Sequence, residues 1–328
     1  MIPSPRLLAP FGVSSIVLAC WAAFLPPAFS QTYPVKPITM YCGFSAGATT
    51  DVTARALAGA AEKILGVPVV VEDRDGGGST VCAALVASKS PDGYNLGVIS
   101  SSALTIRPYF AKMAFDPVKD FTLLMAYSEY IGGLCVLAES PLKTIDDFIS
   151  YAKKNPGLSY GSPGSYGGHH LSIELFAECK GLKFKHVPFK GGAPANTALM
   201  GKHLDFVAGS GQHIPYVKQG IFRMLVLTGC EKRDSDFPDV PTMREIGCPE
   251  PPTIDYLVVG PKGMPEAVTK KLEETLKTAS ETPEFQKVLA NFNLPYVYKN
   301  RAQIEKRLPE AIAWFKHTFK KMGARENP

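Results

Sequence analysis

Two neighbouring histidines, His169 and His170, end a glycine-rich segment that could carry chemistry. The segment begins at Tyr160 and reads YGSPGSYGGHH, with four glycines and two serines among its eleven residues. Glycine-rich turns bring backbone N–H groups close to an anion, whereas adjacent histidines also suit a metal ion or proton transfer. The pattern therefore leaves an anion site, a metal site and a catalytic centre open.

Partners for a metal or for phosphate chemistry are hard to find in the sequence. A zinc site needs further ligands at compatible positions, and His186, His203 and His213 show no such spacing. The H-E-x-x-H motif, the G-x-x-x-x-G-K-[ST] phosphate loop and the G-x-G-x-x-G dinucleotide motif are also missing. We therefore expect no metal and no cofactor.

The elements around the glycine segment alternate between strands and helices. Strand patterns such as VPVVVED and LSYGS are followed by glycine turns and then by helical patterns such as HLSIELFAECKG. This alternation predicts an α/β fold whose sheet is at least partly parallel. A chain of 328 residues exceeds the usual size of one core, so two domains are expected.

Two strand–glycine–helix units have the geometry of an anion site. FSAGATTD precedes the helix expected from Asp51, and GSPGSYGGHH precedes the helix expected from Leu171. Free N–H groups and the positive end of the helix dipole favour an anion at such a position. Lys190 and Arg55 could neutralise an acidic ligand, although a solvated surface charge is the favoured interpretation of each. Two such loops in two α/β units predict a ligand held between domains.

The first 30 residues have the pattern of a secretory signal peptide. Arg6 is their one charged residue, an apolar run follows, and Ala28 and Ser30 form an A-x-S cleavage site. An uncleaved anchor and lipid attachment at Cys20 are the alternatives. We expect cleavage and export of the mature chain.

The net charge and the spacing of the cysteines limit which partners and which cysteine sites are expected. The net charge of +5 is mild and no lysine or arginine block occurs, so nucleic acid is not an expected partner. No pair of cysteines has C-x-x-C spacing. Buried free thiols are expected for most cysteines, and Cys230 with Cys248 is the favoured disulfide because the pair brackets a loop.

Almost the entire chain after the signal peptide resembles the substrate-binding proteins of tripartite tricarboxylate transporters, also called Bug receptors. The resemblance is carried by the order and spacing of many segments: YPVKPI, GFSAGATTDVTAR, VPVVVEDRDGGGS, SPDGYNLGV, FDPVKDF, PGLSYGSPGSYGGHHLSIELF, HVPFKGGAPA, PDVPTMREIG and GPKGMPEAV. Such proteins are non-enzymatic periplasmic receptors that close two lobes on a small organic acid. The resemblance also implies a monomer that delivers its ligand to the membrane subunits of the transporter.

The implied fold is a two-lobed periplasmic binding protein of the Venus flytrap kind, type II-like, with mixed sheets and helices on both faces. Residues 31–130 and 256–328 would form the first lobe, and residues 131–255 the second. Hinge strands are expected near 127–135 and 254–260.

The resemblance also implies which residues bind the ligand. The first loop carries over Phe44, Ser45, Ala46, Gly47, Ala48 and Asp51, and the second carries over Ser162, Gly164, Tyr166, Gly167 and His170. Backbone N–H groups, small hydroxyls and waters of these loops would hold a carboxylate.

The second loop departs from the family pattern at Tyr166, where a phenol replaces a glycine. Tyr166 is expected to line the cleft and to stack on an aromatic acid, unless it points to solvent. Two other functions stay open: a sensor that presents its ligand to a signalling partner, and a secreted hydrolase using Asp51, Ser162 and His170.

Overall fold

The computed structural model describes residues 33–130, 132–165, 167–209, 211–230, 233–234 and 236–321. The expected signal peptide, Cys20 and Tyr166 lie outside these residues. No helix within the described ranges is both long enough and apolar enough to cross a membrane.

Strands and helices alternate along most of the described chain. The strands are β1 (Ile38–Cys42), β2 (Val69–Asp73), β3 (Asn95–Ser100), β4 (Phe121–Glu129), β5 (Gly132–Leu137), β6 (Leu158–Pro163), β7 (Phe184–Phe189), β8 (Phe206–Ala208), β9 (Phe222–Thr228), β10 (Asp255–Pro261) and β11 (Lys299–Asn300). The helices are α1 (Thr49–Leu65), α2 (Thr80–Ala87), α3 (Ser102–Thr105), α4 (Arg107–Phe110), α5 (Ile145–Lys154), α6 (Gly168–Lys180), α7 (Gly192–Met200), α8 (Ile214–Lys218), α9 (Glu266–Ser280), α10 (Pro283–Asn291) and α11 (Arg301–Lys321).

Two mixed sheets organise these elements. In the part of the chain that the structure describes, the first sheet has the order β11–β4–β10–β3–β1–β2 and the second has the order β7–β6–β8–β5–β9. In the first sheet β1 is parallel to β2 and β3, and β10 is antiparallel to β3 and β4. In the second, β6 is parallel to β7 and β8, and β5 is antiparallel to β8 and β9. The predicted α/β fold with mixed sheets is confirmed.

The chain passes between the sheets twice. It leaves the first sheet at Glu129 and enters the second at Gly132, and it returns between Thr228 and Asp255. Both passages overlap the segments expected to act as hinges, although their hinge role and the lobe boundaries stay predictions.

Each sheet has its own apolar core. Beside the first sheet, Tyr41, Ile99 and Leu257 pack with side chains of α2 and α11. Beside the second, Cys135 and Val207 pack with side chains of α7 and β9. Burial of the apolar faces of these strands stabilises both sheets. It thereby fixes the positions of the carboxyl ends of their strands.

Glycines end the two helices that follow the anion-type loops. Gly66 after α1 and Gly181 after α6 have φ of 71° and 65°, a left-handed conformation that favours glycine. The Gly66 N–H donates to the Glu62 carbonyl at 2.9 Å.

The disulfide differs from the prediction. Cys179 at the end of α6 is bonded to Cys248, and Cys230 is a half-buried free thiol whose pKa is raised to about 12 by burial. The pairing of Cys230 with Cys248 is therefore wrong. The reason is tertiary: the segment before Cys248 packs on the C-terminal end of α6, where Lys180 Nζ donates to the Ile246 carbonyl at 2.5 Å.

Candidate functional site

The inner pocket lies where loops from both sheets meet, and its volume is about 30 Å³. Its walls are mostly glycines, hydroxyl residues and aromatic rings: Phe44, Ala48, Thr49, Thr50, Gly78, Ser100, Ser102, Tyr130, Pro163, Gly167, Gly168, His169, Gly191, Gly192, Gln212 and Tyr256. A volume of this size has room for roughly two water molecules.

A wider outer cleft of about 400 Å³ adjoins the inner pocket. The two share Phe44, Gly78, Pro163 and Gly191. The outer cleft is further lined by Gly43, Asp75, Gly76, Gly77, Gly164, Pro188, Phe189 and Lys190. A small organic molecule could therefore occupy the outer cleft and reach into the inner pocket.

Both spaces lie at the carboxyl ends of parallel strands. Phe44 follows β1, Ser100 ends β3, Pro163 ends β6 and Gly191 follows β7. Ligands of open α/β sheets bind outside the carboxyl ends of the strands, and this cleft fits that rule twice.

Three of the described helices with eight or more residues begin at the inner pocket. Ala48, Gly167 and Gly191 are the N-cap residues of α1, α6 and α7, and none of them makes a side-chain cap hydrogen bond. The first N–H groups of a helix have no partner within the helix, and the dipole makes this end positive. Three positive helix ends therefore converge on one small space.

The described walls of the inner pocket contain no Asp, Glu, Lys or Arg. Charge compensation for an anion there would come from backbone N–H groups, with hydroxyls such as those of Thr50, Ser100 and Ser102 close by. Such a wall suits a carboxylate better than a cation.

Stacked tyrosines form a rigid side of the pocket. The Tyr130 and Tyr256 rings are 3.9 Å apart with an angle of 9°, and the Thr50 and Tyr130 hydroxyls are 3.0 Å apart. Burial raises the pKa of both tyrosines, so their hydroxyls stay uncharged at neutral pH.

Hydrogen bonds cross the cleft between the two sides. Ser45 Oγ donates to the Lys190 carbonyl at 2.9 Å, and Gln212 Nε2 donates to the Gly47 carbonyl at 2.6 Å. Arg107 Nη1 donates to the Ser165 carbonyl. These bonds hold the loops of the two sheets against each other.

The residues of the first loop that were predicted to bind the ligand have different surroundings in the structure. Phe44 and Ala48 line the inner pocket, Ser45 and Gly47 make the bonds across the cleft, and Ala46 is exposed. Asp51 lines neither space. Its carboxylate accepts from the Gly47 N–H at 2.8 Å, so Asp51 holds the loop backbone in place.

Asp51 belongs to a charged cluster behind the first loop. Arg55 Nε lies 2.6 Å from Asp51 and Arg55 Nη2 lies 3.0 Å from Asp73. Burial and the Asp51 charge raise the pKa of Asp73. Ligand atoms of Cys42, Asp51 and Asp73 lie within 4.8 Å of one another, but Arg55 already pairs with both carboxylates and burial raises the pKa of Cys42 to about 12. The cluster is organised as an ion pair rather than as a metal site.

The second loop brings some predicted residues to the cleft and turns others away. Gly167 lines the inner pocket and Gly164 the outer cleft. Ser162 is fully buried, donates to the Gly164 carbonyl at 2.9 Å and lies 2.7 Å from His186 Nε2. The His170 ring stacks on His186 at 3.9 Å and lines neither space. Contacts of all these residues with a ligand stay predictions.

The hydrolase arrangement is not assembled in the described residues. Ser162 lies beside His186 rather than His170, and the Asp51 carboxylate faces Gly47 and Arg55. One serine was missed: Gly43–Gly47 reads G-x-S-x-G, the spacing around a nucleophilic serine between a strand and a helix. Its hydroxyl, on Ser45, bonds the Lys190 carbonyl, and none of the described histidines hydrogen-bonds it.

Several wall residues were not predicted from the sequence. Ser100, Ser102, Gly191 and Gly192 follow strands that the sequence does indicate, so the strand-end rule would have found them. His169 was one of the two histidines singled out in the sequence, although the family pattern pointed to His170. Tyr130, Gln212 and Tyr256 carry no local signal, because tertiary packing alone brings them to the pocket.

Comparisons with known proteins agree with this architecture. Residues 53–324 match the family described as the tripartite tricarboxylate transporter family receptor, TctC. The UPF0065 protein in the gbd 5′ region of Cupriavidus necator is 38% identical over 97% of this chain and 97% of its own length.

Solved structures extend the similarity to three dimensions. The periplasmic binding protein BugD has a TM-score of 0.83 and 27% identity, with 90% of this chain and 100% of that chain covered. MatC from Rhodopseudomonas palustris with bound malate has a TM-score of 0.79 and 26% identity, with 87% and 99% covered. The chain belongs to the TctC family of tripartite tricarboxylate transporter receptors, the Bug receptors, and has their periplasmic binding protein fold.

Proposed function

We propose that this protein is a non-enzymatic periplasmic receptor that captures a small carboxylate in the cleft between its two sheets. It then delivers the ligand to the membrane subunits of a tripartite tricarboxylate-type transporter. The observation that carries the proposal is the convergence of three uncapped helix N-termini on a pocket whose described walls hold no charged Asp, Glu, Lys or Arg.

The pocket favours a ligand by the sign of its charge and by its size. A carboxylate placed at these helix ends accepts charge-assisted hydrogen bonds from backbone N–H groups, each roughly twice as strong as a neutral one. A cation at the same place would meet the positive ends of the dipoles. Glycines at positions 167, 168, 191 and 192 allow the ligand to approach the backbone closely.

Relatives of the same fold support this ligand class. MatC, which is 26% identical, is known with bound malate. The resemblance to the family adds tricarboxylates, acidic amino acids and aromatic acids to the candidates.

We also propose that residues 31–130 with 256–328 and residues 131–255 act as two lobes that move about the passages at 127–135 and 254–260. The inner pocket of about 30 Å³ is smaller than a dicarboxylate, so enclosing a whole dicarboxylate there would need the loops on its two sides to separate. The bonds from Ser45 to Lys190 and from Gln212 to Gly47 would then break and re-form around the ligand.

Tyr166 is proposed to adapt this site to its own ligand by stacking on an aromatic acid. A Tyr166→Ala variant is expected to lose affinity for nicotinate or benzoate while keeping its affinity for malate. Equal affinity of wild type and variant for every acid would contradict this role.

Thermal unfolding with a panel of acids tests the proposed function. The protein would be unfolded and refolded without reductant, to strip ligand and keep the disulfide, and then screened with malate, succinate, citrate, glutamate, nicotinate and benzoate. An acid at 100 times its Kd stabilises the folded state by about 2.7 kcal/mol, which raises Tm visibly. A folded protein that no acid stabilises, or that hydrolyses an ester or amide, would contradict the proposal.

A further inference from the structure

His169 is the side chain of the inner pocket whose chemistry the proposed function does not yet use. It is the second residue of α6, is 7% exposed and lines the inner pocket. Among the described wall residues it alone has a basic side chain. A residue of this kind at a helix N-terminus is placed to meet an anion.

The hydrogen bonding of His169 is incomplete within the described chain. Its Nε2 atom is buried and has no hydrogen-bond partner among the described residues, and neither has Nδ1 or Nε2 of the nearby His213. Buried polar atoms are nearly always satisfied by protein, water or ligand, because leaving them unpaired costs free energy. His169 lines the inner pocket, so a ligand that enters when the loops separate could supply the partner that Nε2 lacks in this structure.

The position of the ring is set by its surroundings. The Tyr130 ring lies 5.7 Å away, and Gly132 leaves the space that the imidazole needs, since a Cβ there would lie 2.6 Å from His169 Nδ1. A side chain held in this way loses little freedom when it bonds a ligand, which favours affinity.

The electrostatics of the ring also suit an anion. Burial lowers the pKa of His169 to about 4, and no charged side chain of the described chain contributes to this shift. The titratable groups that face it are Tyr130 and His213, and both are uncharged at neutral pH. A neutral imidazole still has one N–H donor to offer, and no neighbouring carboxylate takes it.

We propose that His169 is a specificity-determining residue whose imidazole donates an N–H hydrogen bond to a carboxylate oxygen of the ligand in the inner pocket. This inference rests on the proposed function. It adds one side-chain donor to the backbone N–H groups that are proposed to bind the carboxylate. His170, its neighbour, faces His186 instead and is not assigned this role.

Isothermal titration of four histidine variants tests the inference, with the panel acid that binds wild type most tightly as the probe. His169→Leu removes the donor at similar size and should weaken binding at least about tenfold, as expected for a hydrogen bond to a charged group. His169→Gln keeps an N–H donor and should bind within about threefold of wild type. His203→Gln, at an exposed position outside both spaces, is the control with unchanged affinity.

A second readout separates a direct contact from a structural effect. The ring ¹⁵N signals of His169 should shift when the acid is added to wild type, because the nitrogen gains an acceptor. Circular dichroism and Tm of each variant check that it is folded.

The outcomes separate this inference from the proposed function. If wild type binds an acid but His169→Leu binds it within twofold, or His170→Gln loses as much affinity as His169→Leu, the assignment of His169 is wrong and the receptor function stands. If wild type binds no acid of the panel, the proposed function fails and this inference fails with it.

Discussion

The loop after β1 and the loop after β6 both join a parallel strand to a long helix, yet different side chains support them. Behind the first loop, Asp51 holds the Gly47 N–H and pairs with Arg55, which also reaches Asp73. Behind the second loop, His170 stacks on His186 and Ser162 bonds within the loop. Charged side chains support the first loop from behind, and neutral rings and a hydroxyl support the second, which Arg107 also contacts from across the cleft.

This difference has consequences for charge and for pH. A carboxylate in the first turn of α1 already occupies part of the positive helix end, whereas α6 has no acidic residue in its first turn. The α6 end is therefore the freer of the two to attract a ligand carboxylate. The second side also carries the histidines whose protonation changes below neutral pH.

We expect the largest difference in stability from the disulfide, because it cross-links the C-terminal end of α6 and not the end of α1. Replacing Cys179 and Cys248 by serine removes a cross-link across 69 positions of sequence. We expect the free energy of unfolding to fall by about 4 kcal/mol, from the entropy of closing a loop of that length. Urea unfolding of wild type and the double variant, both at pH 7, measures it.

Wild type with added reductant should approach the double variant. A double variant as stable as wild type would mean that the bond between Cys179 and Cys248 contributes nothing to folding.

Lowering the pH should destabilise the protein mainly through histidines on the side of the second sheet. Burial lowers the pKa of His169 to about 4 and of His213 to about 3, from an ordinary value of 6.5, so the unfolded state binds more protons between these values. Stability is therefore present above pH 6.5 and is lost as the pH falls toward 4. For each of these histidines, we expect the free energy of unfolding to fall by roughly 2 kcal/mol between pH 7 and pH 5.

His213→Leu tests this pH dependence by urea unfolding at pH 7 and pH 5. Both ring nitrogens of His213 are unpaired in the described structure, so leucine should be tolerated at pH 7 and should lose less stability at pH 5. The same loss between the two pH values in wild type and variant would exclude His213 as a source.

Steric packing distinguishes the glycines of the two loops. A Cβ at Gly43 would lie 2.2 Å from Ser79 Cβ, whereas a Cβ at Gly167 would find its nearest atom, the Pro163 carbonyl oxygen, at 3.7 Å. Gly43→Ala should therefore lower the free energy of unfolding by about 2 kcal/mol, and Gly167→Ala by much less. Parallel denaturant titrations compare the two; equal stabilities would remove the distinction.

The smallest expected effect comes from the charge behind the first loop. Asp51→Asn keeps the size of the side chain but weakens its bonds to Gly47 and Arg55. Because Arg55 is half exposed, we expect a loss of about 1 kcal/mol. Asp236→Asn, which breaks an exposed pair with Lys218, is the control and should change stability by under about 0.5 kcal/mol. Equal effects of the two substitutions would show that burial of Asp51 does not matter.

Much of the fold could be predicted from the sequence, because it depends on local patterns. Alternating strands and helices, the glycines after α1 and α6 and the two glycine loops are visible in short stretches of the chain. The family could be recognised for the same reason, since its segments keep their order and spacing.

The site could be predicted only in outline. Phe44, Ala48, Gly164 and Gly167 were expected at the ligand and do lie at the cleft. Asp51, Ser162 and His170 were expected there from the same loops, but their side chains turn toward Gly47, Gly164 and His186. Loop membership follows from sequence, whereas the direction of each side chain follows from packing.

The sequence by itself determined the α/β class, the two anion-type loops and the family, because strand and helix periods and glycine positions are local properties. The tertiary structure alone decided which of two adjacent histidines faces the pocket, how Cys248 pairs and that Tyr130 meets Tyr256. These contacts join residues far apart in the chain, and the energy that selects them comes from burial between whole elements.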